Sequence, residues 1–227
     1  MISIRNAHPQ DAQGIAQVIQ IVWNDNANTA RIARLIQEND HYLWVAVSDE
    51  SEIVGFVDGF LTVSSSGEKR LEVDLLAVHR DFRGLKLANQ LIEKVTLAGI
   101  DAGVQYARAV VRVENIPSEK AFAHHGYHPV SRRDLWVSDG QPSADEPTSA
   151  YFVSVNTLTY QGVWIEDVRT RSAFSAGRHI AHQNSLDTVG ALLDPAHAEQ
   201  IEWARQCGFE KIAEMQVWTR PFELRGG

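Results

Sequence analysis

The sequence predicts a mixed α/β fold, an α+β arrangement in which one central sheet is flanked by helices, and three observations carry that reading. Apolar residues alternate with a period of two in several short segments and recur at helical spacing in others, and the two kinds take turns along the chain. One strand pattern runs through a short basic loop containing a glycine straight into an amphipathic helix. The 227 residues, 44 % hydrophobic and 22 % charged, suit a soluble globular protein with an ample core and exclude disordered and fibrous classes.

Ile2 and Ile4 open a short strand. Pro9, suited to a first helical position, and Asp11, suited to the positive end of a helix, then start a helix that carries Ile15, Val18, Ile19 and Val22. A second helical pattern carries Ile32, Leu35 and Ile36. Y-L-W-V-A-V, residues 42–47, is short, β-prone and apolar, as a buried strand should be. After a polar turn at 48–52, residues 53–63 alternate as the second strand of a hairpin, with Gly55 and Gly59 as sites for a bend. A third strand is L-E-V-D-L-L-A-V, residues 71–78. Its period of two puts Glu72, Asp74, Leu76 and Val78 on one face and Leu71, Val73, Leu75 and Ala77 on the other.

Beyond the loop H-R-D-F-R-G-L-K, a helix shows the stripe Leu87, Leu91, Ile92, Val95 and Ala98. A strand over 106–113 groups Ala107, Ala109, Val111 and Val113, and a helix over 115–125 has Pro117 in its first turn and Gly126 as its terminator. Residues 127–137 return to a strand pattern. The only linker-like composition, S-D-G-Q-P-S-A-D-E-P-T at 138–148, reads as a domain boundary or a long hairpin loop, the loop preferred because Y-F-V-S-V-N-T-L-T-Y beyond it looks like the partner strand. From Val163 the order strand, helix, strand, helix, strand recurs, ending at Trp218.

Composition narrows the partners. With 21 basic residues against 29 acidic ones the formal charge is -8, which repels a phosphate backbone, so nucleic acid is not expected. Cys207 is the only cysteine, which rules out an intramolecular disulfide and fits a reducing, cytoplasmic setting. No stretch approaches the roughly 20 apolar residues of a membrane span, so no membrane partner is expected. His124, His125 and His128 cluster, and His179 and His182 stand one helical turn apart, but neither group has a carboxylate or cysteine to complete a ligand set. No metal is expected. Cys207 reads as a small core residue, and Trp164, Trp203 and Trp218 as core anchors, with one of them lining a cleft as the alternative.

A strand that runs into a glycine-containing loop and then a helix is suited to phosphate, because unpaired backbone N–H groups and the helix dipole converge there. The loop lacks both G-x-x-x-x-G-K-[ST] and G-x-G-x-x-G, which argues against a nucleoside triphosphate or a dinucleotide. Its sequence, L-L-A-V-H-R-D-F-R-G-L-K-L-A-N-Q-L-I, resembles the acetyl-CoA signature of the GNAT N-acetyltransferase superfamily, [QR]-x-x-G-x-[GA]. Arg83 and Ala88 match its ends. Lys86 stands where the central glycine is usual, a departure the backbone is expected to tolerate only with a negative φ. Downstream, V-E-N-I-P-S-E-K-A-F-A-H-H-G-Y is similar to a second family segment, N-x-x-A-x-x-x-Y-x-x-x-G-[FY], which Asn115, Gly126 and Tyr127 match. Phe122 falls where the family often has the tyrosine that protonates the departing thiolate.

The resemblance implies a GNAT-like mixed sheet over residues 1–158 and acetyl-CoA as cosubstrate. Its pyrophosphate would lie on the loop Arg83, Gly84, Leu85, Lys86, Leu87 and Ala88. Its pantetheine arm would lie against Leu76, Ala77 and Val78, with Asn115 either beside it or only a helix cap. The implied reaction is direct attack by a primary amine of a small molecule or peptide. Such an amine has a pKa of about 10.4, so reaching its neutral form at pH 7 costs on the order of 4 to 5 kcal/mol and calls for a base. The family places such a carboxylate where Glu72 and Asp74 stand, with Glu72 preferred; Tyr127, His124 or His125 could replace the missing acid.

Residues 125–137 align without gaps to residues 207–219, with Gly126 to Trp136 and Gly208 to Trp218 equally spaced, and V-W-I-E-D-V resembles the strand that carries Glu72. Residues 159–227 therefore read as a degenerate half-copy that has lost the phosphate loop and supplies core, a substrate wall or the surface of a homodimer. Two rivals remain: a non-catalytic acyl-CoA-binding or regulatory module, favoured by Phe122 and Lys86, and a small-molecule-binding α/β domain that takes no CoA.

Overall fold

The described residues of the computed structural model are 2–142 and 150–222. Their alternating patterns form β1 (Ser3–Asn6), α1 (Ala12–Trp23), α2 (Thr29–Leu35), β2 (His41–Val47), β3 (Ile53–Val63), β4 (Lys69–Val78), α3 (Leu87–Asp101), β5 (Tyr106–Arg112), α4 (Ile116–His124) and β6 (His128–Ser138). A second run follows: β7 (Tyr151–Asn156), β8 (Gln161–Glu166), α5 (Ser172–Gln183), β9 (Thr188–Leu193), α6 (Ala198–Gln206) and β10 (Glu210–Pro221). This is the expected mixed sheet flanked by helices. Helix boundaries follow local chemistry. The Asn28 side chain accepts from Arg31 N at 3.1 Å to cap α2, the Asn115 side chain accepts from Ser118 N at 3.3 Å to cap α4, and Gly126 ends the latter at φ +74°.

All ten strands join one sheet in the order β1-β2-β3-β4-β5-β10-β6-β9-β8-β7. Only β4 with β5 and β8 with β9 pair in parallel. The eight strands from β3 to β7 in this order read alike from both ends. At the centre Arg133 of β6 pairs with Met215 of β10, and each is the other's counterpart in the repeat. Outward from there, Val111 pairs with Gln216 and Val73 with Ala109 on one side, Leu193 with Asp134 and Ile165 with Ala191 on the other. A pseudo-two-fold axis therefore crosses the sheet between β6 and β10. The stretch from Val73 to Ala109 is ten residues longer than that from Ile165 to Ala191, and the phosphate-type loop falls within that excess.

Two expectations about connectivity change. Residues 151–156 do form a strand, but β7 pairs with β8 at the sheet edge and not with β6; both flanks of β6 are taken by β10 and β9. The linker at 138–148 is described only to residue 142, so most of that segment lies outside the described residues. The helix stripe also shifts: Leu87, Leu91, Ile92 and Val95 are buried as expected, whereas Thr96 and Gly99 occupy the buried face in place of Ala98. A Cβ on Gly59 would stand 2.6 Å from Val95 Cγ2, so α3 lies flush on β3 only because that residue is glycine.

Three apolar clusters hold the helices to the sheet. Ile15, Ile19, Ile32 and Leu35 of α1 and α2 pack on Val45 and Phe56. Leu91, Ile92 and Val95 of α3 pack on Leu71, Ala107, Ala109 and Trp218. Phe174 and Ala181 of α5 pack on Val163, Val189 and Phe209. At roughly 1.5–3 kcal/mol for each large side chain fully buried, such clusters are the main stabilising term. The two runs are interleaved. Leu158, in the turn between β7 and β8, is fully buried in the α1–α2 cluster, and Arg31 of α2 donates from Nε to the Thr157 carbonyl and from Nη2 to Asn156 Oδ1, each at 2.7 Å.

Candidate active site

Two irregularities in β4 build the site. Opposite the single residue Asp58 of β3, β4 carries two, Asp74 and Leu75, as the register passes from Gly59 with Val73 to Val57 with Leu76. Such a bulge bends the strand and re-aims its side chains. On its other flank β4 pairs with β5 only from Arg70 with Tyr106 to Val73 with Ala109. The parallel strands thus part where the bulge begins, opening a gap lined by unpaired backbone groups. The bulge also breaks the period-two reading. Leu71 and Val73 share a cluster with Leu76 and Val78 beneath α3, while Leu75 and Ala77 pack toward α1 and α2. Glu72 and Asp74 therefore do not share a face with Leu76 and Val78, because one extra residue shifts the phase.

Past the gap, a 3-10 turn at Arg80–Phe82 leads into the basic loop. Arg83, Gly84, Leu85 and Lys86 are exposed, and Arg83 Nε lies 3.4 Å from the Val78 carbonyl it donates to. Leu87 turns inward against Ala46 and Val54 and anchors α3. Gly84 has φ +82° and Lys86 φ +58°. The expected negative φ at Lys86 is overturned: the residue adopts the left-handed conformation a glycine would take there, at a cost of roughly 1–2 kcal/mol. Lys86 is also the N-cap of α3 and contributes no side-chain cap bond, so the N–H groups of a 15-residue helix point toward open solvent where an anion can be held.

On the sheet face away from α3 to α6, a cleft of about 650 Å³ spans the pseudo-axis. It is lined by Glu72, Asp74, Arg108, Arg133, Trp164 and Glu166, among others. Its floor is a charge network joining both halves. Arg70 Nη2 donates to Glu166 Oε1 at 2.6 Å and Nη1 to Oε2 at 3.2 Å, while its Nε lies 2.5 Å from Glu72 Oε1. Arg108 Nε donates to Glu72 Oε2 at 2.8 Å and Nη1 to Glu166 Oε1 at 3.1 Å. Thr62 Oγ1 donates to Glu72 Oε1 at 3.0 Å. Burial alone would raise the pKa of Glu72, but Arg108 and Arg70 outweigh it and hold the carboxyl below its usual range. Both oxygens of Glu72 are thus engaged, by Thr62, Arg70 and Arg108, an arrangement hidden from the sequence because Thr62 and Arg108 come from other strands.

Asp74 is the opposite case. Its Oδ2 is buried without a hydrogen-bond partner. Burial first, then the charges of Asp58 and Glu72, push it up to about 7, against the opposing effect of His41. A carboxyl at that level exchanges a proton readily at neutral pH.

The other expected residues lie elsewhere. Tyr127 is 1 % exposed beneath α3, its hydroxyl 2.9 Å from Thr96 Oγ1 and its ring edge-on to Phe122 at 5.1 Å between centroids. Burial pushes that phenol up to about 12. It does not line the cleft, and neither do His124 and His125, whose rings meet each other at 5.1 Å. Asn115 caps α4. Trp164 lines the cleft, with the Arg108 guanidinium 5.6 Å from its ring centroid and its Nε1 donating to Tyr160 at 3.1 Å. Cys207 is half-buried against the α5–α6 cluster. Residues the sequence reading missed, Asp58, His41, Tyr160 and Glu166, sit on elements whose contact with the site depends on sheet order. The register match of Glu166 to Asp74 was the one signal that could have flagged any of them.

Comparison with known proteins agrees with this architecture. The family model of the acetyltransferase (GNAT) family matches residues 10–127. No curated protein matches. Among solved structures, the GCN5-related N-acetyltransferase from Sphaerobacter thermophilus superposes with a TM-score of 0.62 at 15% identity, covering 97% of this chain and 95% of that one. NAA60 of Arabidopsis thaliana in complex with acetyl-CoA gives 0.52 at 19% identity, covering 59% and 88%. The ribosomal-protein-S18-alanine N-acetyltransferase from Escherichia coli gives 0.54 at 11% identity, covering 100% and 97%. With just over half of its residues matched by the family model, this chain belongs to the GNAT acetyltransferase family and is an acyltransferase.

Proposed function

We propose that the protein transfers an acetyl group from acetyl-CoA to a primary amine of a small molecule or peptide by direct attack, with Asp74 in place of Glu72 as the general base. The observation that carries this reading is the single unpaired carboxyl oxygen of Asp74 on the cleft side of the bulge, among arginines and glutamates that are otherwise paired with one another. The loop fits a pyrophosphate, since Gly84 and Lys86 both hold positive φ and α3 begins without a side-chain cap. Gly84, Leu85, Lys86, Leu87 and Ala88 would hold that group through backbone N–H, with Arg83 and Lys86 as counter-charges. The backbone of Leu76 to Val78 along the β4–β5 gap would orient the pantetheine arm and polarise the thioester carbonyl. Acetyl-CoA supplies the activated acetyl group.

Asp74 takes one proton of the incoming ammonium, directly or through water; the amine's lone pair then forms the C–N bond as the C–S bond breaks, and the proton the nitrogen sheds on becoming an amide passes to the departing thiolate, giving the free thiol. A thiol pKa of roughly 8.5 makes that thiolate tolerable without a dedicated acid, which accommodates Phe122 in the core. We read residues 159–227 as a degenerate half-copy that serves the catalytic unit of 1–158 with β10 and the far wall of the cleft. No helix among the described residues is long and apolar enough to cross a membrane, and the lone cysteine suits a reducing cytoplasm.

Thiol release from acetyl-CoA over an amine panel tests the assignment. Asp74→Asn should lower kcat by roughly 10²–10⁴ while calorimetric affinity for acetyl-CoA is retained, and turnover of the parent should rise with pH through about 7 as Asp74 ionises. Undiminished turnover in Asp74→Asn would reject it as the base, and no acetyl-CoA affinity tighter than millimolar would sink the cosubstrate.

A further inference from the structure

Behind Asp74 lies a second carboxyl that the mechanism above does not use. Asp58 is fully buried, stands on β3 as the one residue facing the two-residue bulge, and leaves its Oδ2 without a hydrogen-bond partner. Its Oδ1 lies 3.3 Å from Nδ1 of His41 on β2. The side chain of His41 is 3% exposed, and its ring packs on Phe60 at 5.5 Å. The backbone of Asn156, at the end of β7, also hydrogen-bonds His41. The pair is expensive: a buried ion pair with incompletely satisfied oxygens is often less stable than apolar residues of the same volume.

We propose that the His41–Asp58 pair is a positioning device for Asp74, Asp58 standing across the bulge as a second carboxyl that is coupled to Asp74 and keeps it ready to accept a proton. The proposal rests on Asp74 being the base. Burial would lower His41, but the hydrogen bond and charge of Asp58 raise it above its ordinary value. Asp58 is itself raised by burial, with His41 opposing. The charged and titratable groups that bear on Asp74 are His41 on β2, Asp58 on β3, Glu72 on β4 and Tyr160 beyond β7. Glu72 is neutralised by Arg70 and Arg108. Tyr160 is pushed up by burial and by Asp74, and so stays a neutral phenol. Asp58 is thus the group whose removal should change Asp74 most.

The test is a pH titration of the aspartate side-chain carboxyl carbons by carbon-13 NMR on the full chain without acetyl-CoA, with Asp74→Asn and Asp58→Asn spectra identifying the two signals. Asp58→Asn should lower the Asp74 midpoint by about one pH unit or more, since the like charge that disfavours ionisation is gone. In the parent protein the two signals should also show shared inflections, because interacting sites titrate as a pair; this needs no variant to fold. An Asp74 midpoint unmoved in Asp58→Asn, or two independent single-step curves in the parent, overturns the proposal. Neither readout depends on turnover. Full activity in Asp74→Asn would instead remove the base assignment and leave the measured coupling standing.

Discussion

The two halves of the molecule share a frame and differ in what they place on it. On the first side of the pseudo-axis, β4 and β5 carry Arg70, Glu72, Asp74 and Arg108; by register the second side has Gly162, Trp164, Glu166 and Gly190 at those positions. The first half has a loop of eight residues with two left-handed positions, Gly84 and Lys86, before α3, whereas the second passes from Glu166 to α5 at Ser172 through five residues with one, Asp167. The difference teaches that symmetry of backbone does not bring symmetry of chemistry. The second half instead carries side chains that reach across the axis: Glu166 receives both arginines of the first half, and Trp164 packs against one of them.

The largest effect should follow from removing the second half. Deleting residues 160–227 strips β10 from between β5 and β6, leaving two long unpaired edges, and should give an aggregated product, read as the loss of the soluble fraction. A soluble, fully active monomer would reduce the second half to an appendage. Next in size is Glu72→Gln, which leaves two buried guanidinium groups short of a charge and should cost about 3–5 kcal/mol, seen as a fall in melting temperature. Asp74→Asn should behave oppositely at pH 8. A carboxyl raised to about 7 in the folded state gives stability that is full below its unfolded value near 4 and is lost as pH rises through 7, so a neutral amide should narrow the gap between melts at pH 5 and pH 8. Equal losses from both substitutions would mean that the two carboxyls are not distinguished as described. The smallest effect is expected from Lys86→Gly. Relief of left-handed strain should raise stability by at most about 1 kcal/mol, with acetyl-CoA affinity falling only as far as the lysine charge contributes.

What was legible in the sequence follows from range of interaction. The strand–loop–helix at Leu71 to Ala98 and the equal spacing of Gly126–Trp136 and Gly208–Trp218 are local patterns, and both gave true elements. The bulge at Asp74 and Leu75 was hidden because strict alternation is the only rule a sequence offers for a strand, and the extra residue is visible only against Asp58 on β3. The choice between Glu72 and Asp74 was hidden for a related reason: Arg108 and Glu166, which fix Glu72, arrive from strands 36 and 94 positions on. Tyr127 matched a motif and landed in the core, since a motif fixes spacing along the chain and not the direction in which a ring points. The placement of β10 between β5 and β6 is set by pairing across nearly the whole chain.

That placement has a consequence for biosynthesis. β5 ends at Arg112 and its neighbour β10 begins at Glu210, so at roughly 5–20 residues per second the edge of β5 waits on the order of 5–20 s before the strand that covers it is made. During that interval the nascent chain holds a basic strand–loop–helix that can already form locally beside a sheet that cannot yet close. Commitment to the native state is therefore a late event, tied to the arrival of the C-terminal strand and exposed until then to any chaperone or neighbouring chain able to pair with β5.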